Sequence, residues 1–72
     1  MNNLTYMEKV ELKILLEEKI RENEILIKNN NRFIDRHKEM DKVSLDLHIK
    51  INTSHKEQNE MYRKIYEKLS KE

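Results

Sequence analysis

The sequence predicts an all-α protein: an antiparallel helical hairpin of two long helices, the second broken near residues 52–54, packed with another copy as a dimeric bundle or coiled coil. Three observations lead there. The chain contains neither glycine nor proline, its hydroxyl residues stand where helix caps belong, and its apolar residues recur at steps of three and four. Without Gly and Pro to punctuate the chain, helix ends are read from capping residues.

Thr5 and Glu8 have the S/T-x-x-E spacing of a capping box, in which the hydroxyl takes one orphan N–H and the glutamate reaches back to another. They open a helix over about residues 6–28, supported by Glu17 before Arg21 and Glu24 before Lys28. Its apolar residues fall on two sides. Met7, Val10 and Ile14 share one early, while Leu12, Leu16, Ile20 and Ile27 continue on another. A helix apolar on two sides has two neighbours, so Met7, Val10, Ile14, Leu16, Ile20 and Ile27 are the expected oligomer interface. The cluster Asn29-Asn30-Asn31 is the expected turn, because asparagine tolerates the left-handed conformation that closes a helix.

The next helix is expected over about residues 32–52. A stripe at 33, 37, 40, 44, 47, 51, 54, 58, 61, 65 and 68 follows coiled-coil spacing, with Phe33, Met40, Leu47, Ile51, Met61 and Ile65 as its apolar members. Ser54 with Glu57 forms a second capping-box pattern and predicts a last helix over about 55–71. One segment reads differently: Val43, Leu45, Leu47, Ile49 and Ile51 alternate with polar residues, which is strand periodicity. A lone strand needs a mate, and its copy in a second chain would form a ribbon of the ribbon-helix-helix kind, although only about twenty residues follow Asn52 to supply the helices.

Composition bounds the function. Seventy-two residues make one domain, 36% hydrophobic and 40% charged, with no cysteine to staple it. A core that small rarely supplies more than ~3–5 kcal/mol, so a partner subunit is expected. No disulfide or zinc–cysteine chemistry is possible, and no apolar run is long enough for a signal peptide or membrane span. The expected compartment is the cytoplasm. Fifteen basic residues balance fourteen acidic ones in both halves alike, without the lopsided charge of a nucleic-acid binder. The dominance of Asn, Ile and Lys and the absence of Ala and Trp point to an AT-rich genome, such as a low-GC bacterium, its phage or a plasmid.

Candidate chemistry is sparse. His37, Asp41, Ser44, His48 and His55 share one side of a continuous helix, but ligands strung over five turns do not converge on one ion. Paired acids such as Glu17 with Glu18 or Asp35 with Glu39 lack an enclosing pocket. No nucleophile elbow or phosphate-binding glycine loop is present, so neither an enzyme nor a cofactor is expected. The basic cluster Arg32, Arg36, His37, Lys38 and Lys42 is interleaved with Asp35, Glu39 and Asp41.

The segment Ser44-Leu45-Asp46-Leu47-His48, after a helix and a turn, resembles the S-Q-E-L-D motif of the small phosphatases of the sporulation phosphorelay, which are helical hairpins. Ser44 and Leu47 match and Asp46 is conservative, whereas Leu45 replaces the glutamine and His48 the final acid. The resemblance covers about thirty residues of hairpin. It implies binding to a response regulator, with the acid needed for phosphatase activity missing.

The expectation is therefore a non-enzymatic, phage- or mobile-element-type regulator or inhibitor that binds another protein through helix–helix contacts. A small dimeric DNA- or RNA-binding regulator is the alternative. Leu45 and Ile49, on the far side of the helix from Val43, Leu47 and Ile51, are the expected partner-binding residues, with the latter three facing the hairpin core.

Overall fold

The computed structural model describes residues 3–71. Thr5 opens the first helix as expected. Its Oγ1 accepts from the Glu8 N–H at 3.1 Å, and its own N–H donates to Glu8 Oε1 at 2.9 Å, completing the capping box. Helix α1 then spans Tyr6–Arg36 and helix α2 spans Lys42–Lys71, and the two pack as a hairpin about 52 Å long.

The reversal lies at His37–Asp41 instead of Asn29–Asn31. Asparagine disfavours helices because its amide competes for nearby backbone groups. Here Asn30 and Asn31 already have partners on α2, so that competition is removed: Asn30 Nδ2 donates to Asn52 Oδ1 at 2.9 Å, and Asn31 Oδ1 accepts from Asn52 Nδ2 at 2.7 Å. Helix α1 therefore runs on to His37, whose N–H is shared between the Phe33 and Ile34 carbonyls at 3.0 and 3.2 Å. No described residue has a positive φ, so the reversal uses no left-handed cap.

Asp41 starts α2, with Oδ1 accepting from the Ser44 N–H at 2.8 Å. The break expected near residues 52–54 is absent. Ser54 sits exposed inside α2, and the Thr53 hydroxyl donates to the Ile49 carbonyl at 3.0 Å, satisfied without ending the helix. Residues 43–51 are helical as well. The alternation there is overruled because α1 already lies alongside, and a helix can place Leu45, His48 and Asn52 against it at steps of three and four.

Those residues belong to a continuous seam. Positions 13, 16, 20, 23, 27, 30 and 34 of α1 and 45, 48, 52, 55, 59, 62, 66 and 69 of α2 are all buried or half-buried. They alternate by three and four, the repeat of an antiparallel coiled coil. Its contents are unusually polar. The fully buried residues among those described are Asn23, Asn52, Asn59 and Leu69, and Leu69 alone of them is apolar.

Candidate helix-docking surface

The polar seam is held by two asparagine rungs one heptad apart. In the first, Asn23 Nδ2 donates to Asn59 Oδ1 at 2.9 Å and to Gln58 Oε1 at 3.3 Å, while Asn59 Nδ2 donates to the Ile20 carbonyl at 3.1 Å. In the second, Asn30 joins Asn52 and also donates to the His48 carbonyl at 2.8 Å. That carbonyl can only accept, which fixes the Asn30 amide with Oδ1 toward His48. The His48 Nδ1, 2.8 Å away, must then carry the proton. Buried amides that meet only in one register specify that register at a cost in stability.

The seam also sorts every other side chain. In an antiparallel pair, residues just before each seam position lie on one broad side of the hairpin and those just after lie on the other. Cross-helix contacts follow this division. Phe33 approaches the His48 ring with centroids 4.9 Å apart and shares an open groove of about 580 Å³ with Met40 and Ser44 on the first side. On the second side, Arg63 reaches Glu24 at 3.0 Å and the Tyr66 hydroxyl donates to Glu17 at 2.9 Å.

The two sides differ in chemistry. The second carries Arg21, Glu24, Lys28, Asp46, Lys56, Glu60, Arg63 and Glu67, with Met7, Ile14 and Ile49 as its exposed apolar members. The first carries Leu12, Leu15, Leu26 and Phe33 from α1, Met40 from the reversal, and Leu47, Ile51, Met61 and Ile65 from α2. Leu12, Met40 and Ile65 are half-buried, and the other six stand in the open: Leu47 is 57% exposed and Met61 51%. The reversal splits the expected stripe: Phe33 belongs to α1, and only its members from Ser44 to Lys68 run along α2, one residue ahead of the seam, on its flank. Val43, Leu47 and Ile51, expected to face the hairpin core, face solvent instead, Val43 at 78% exposure. The core positions they would have filled are taken by Asn52 and its neighbours, whose amides bond across to α1.

The other expected site residues divide between environments. Leu16, Ile20 and Ile27 are half-buried seam residues between α1 and α2. Met7, Val10 and Ile14 lie toward the second side near the start of α1, with Met7 and Ile14 exposed. Leu45 is in the seam and lines a small cavity with Ile34 and Met40, whereas Ile49 is exposed on the second side. The six α1 residues and the Leu45–Ile49 pair therefore do not form single patches.

The described residues hold no ready-made metal centre. No group of three or more His, Cys, Asp or Glu is placed to hold a metal ion. The resolved pKa shifts belong to caps and one tyrosine: hydrogen bonds from Thr5 lower Glu8, hydrogen bonds from Ser44 lower Asp41, and the Glu17 carboxylate bonded to the Tyr66 hydroxyl raises that phenol. Ser44 and His48 of the phosphatase-like segment line the groove beside Phe33, while Asp46 and Leu47 are exposed. The basic residues Arg36 and Lys38 share that groove with Asp35 and Glu39, which divides its charge. No helix of the described residues is long and apolar enough to cross a membrane.

No protein-family model, curated protein or solved structure matches the chain.

Proposed function

We propose that the protein is a non-enzymatic helix-docking module, which regulates by binding: its apolar side receives helices of another polypeptide and completes a four-helix bundle. The observation that carries this reading is an exposed apolar flank beside a partly polar seam. Four asparagines and two histidines interrupt the aliphatic residues of the hairpin's own seam, while Leu15, Leu26, Phe33, Leu47, Ile51 and Met61 stand exposed along one flank of both helices. Burying apolar surface drives helix association in water, and contiguous exposed apolar patches mark interaction sites. An enzyme would need an enclosed pocket with convergent groups, and a nucleic-acid binder would need a basic stripe. Neither pattern supports itself on this hairpin as well as the apolar flank does.

A photo-activatable side chain tests the reading directly. Placed at Leu47 it is expected to trap a polypeptide, while the same group at Thr53 on the charged side traps none. Equal trapping at both positions, or none at Leu47, overturns it. Retention on nucleic acid that falls steeply with salt, with no trapping at Leu47, would favour the nucleic-acid alternative.

A further inference from the structure

We infer that the polypeptide received by the apolar side is a second copy of this chain, packed face to face about a two-fold axis. This rests on the docking reading above and names its occupant.

Area is the first argument. A compact monomer of 8.9 kDa exposes about 4,800 Å² by the usual size scaling, whereas this chain exposes 6009 Å². The excess, about 1,200 Å², is more than the ~800 Å² each partner contributes to a standard stable interface. Stoichiometry is the second. The hairpin's own seam buries Leu69 as its one fully buried apolar residue among those described, too little for a chain of this length to stand alone. An occupant needed for folding has to be present whenever the chain is, and another copy always is.

Shape and charge agree. Apolar residues on this side come from both helices, from Leu12 and Leu15 near one end to Phe33 at the other, so the complementary surface is itself a two-helix flank of similar length. The central charges on the side, Lys19 and Glu22, approach to 3.5 Å and offset each other. Two identical flanks therefore meet without stacking like charge, and a two-fold contact closes without leaving an edge for further growth.

Sedimentation equilibrium of the full chain tests the inference, with thermal melts over a hundredfold range of concentration. The expected result is twice the chain mass and a melting temperature that climbs with concentration. The double variant Leu26→Glu with Ile51→Lys is expected to lose the dimer, while Glu60→Lys on the charged side keeps it. Should the double variant simply unfold, the wild-type chain with a photo-crosslinker at Met61 still decides: covalent dimers support the inference, and their absence overturns it. A folded monomer with a concentration-independent melt also overturns it. If that monomer is trapped at Leu47 by a different protein, the docking reading survives alone; with no trapping at all, both fall.

Discussion

Asn23, Asn30, Asn52 and Asn59 set the character of the molecule, because each places a polar amide where a coiled coil ordinarily places leucine or isoleucine. Their hydrogen bonds make the arrangement tolerable, and removal of one partner exposes its cost. Asn59→Ala leaves the Asn23 amide with Gln58 alone and takes the side-chain donor from the Ile20 carbonyl inside the seam. The expected loss is ~1–3 kcal/mol, the penalty for an unsatisfied buried polar group, measured by urea titration at fixed protein concentration. A change indistinguishable from zero would mean the rung contributes nothing. The carboxylate caps give a pH signature at the same scale. Asp41 is held below its ordinary value of 3.8 by hydrogen bonds from Ser44. Because the folded pKa is the lower one, its contribution is complete above the unfolded value and disappears as pH falls through the folded value. The stability gap between the wild type and Asp41→Asn, followed by circular dichroism, is expected to hold at neutral pH and to close below 3.8.

At the scale of elements, the helix boundaries separate what local pattern encodes from what packing decides. The Thr5–Glu8 box was legible because both halves of its hydrogen bonding lie within four residues. The equivalent pattern at Ser54–Glu57 is inert: a capping box operates only where the chain is already turning, and α2 runs straight through it. Thr5→Ala is accordingly expected to cost ~1 kcal/mol in thermal unfolding, and Asp41→Ala to lower the melting temperature, whereas Ser54→Ala leaves it unchanged or slightly raises it. A marked loss from Ser54→Ala would place a helix start there after all. The turn at His37–Asp41 was not legible, since Asn30 and Asn31 carry the local signature of a helix end, and the partner that overrides it, Asn52, lies 22 and 21 residues away. The seam had a signal that apolar periodicity conceals: Asn23 with Asn30, and Asn52 with Asn59, are each spaced by one heptad. Reading only hydrophobic residues selects the flank from Phe33 to Ile65 and mistakes it for the core.

For the whole molecule, the consequence is a hairpin whose register is set by polar contacts and whose apolar flank is exposed. Polar rungs discriminate between alignments of α1 and α2; in the proposed dimer the apolar flank supplies further burial. The site residues taken from the sequence missed this division because exposure depends on which face meets α1. Leu45 and Ile49 lie about one turn apart, yet one is in the seam and the other in solvent. Leu15, Leu26, Leu47 and Met61 emerge as the surface only after the asparagine seam is in place. The most direct test is an isotope-filtered nuclear Overhauser experiment on a mixture of labelled and unlabelled chains. Cross-peaks between chains from the Met61 methyl to aliphatic protons of the other copy's apolar flank, with none from Thr53, are the expected result; a Met61 methyl with no contact to another chain, at concentrations where the protein is folded, would contradict the account.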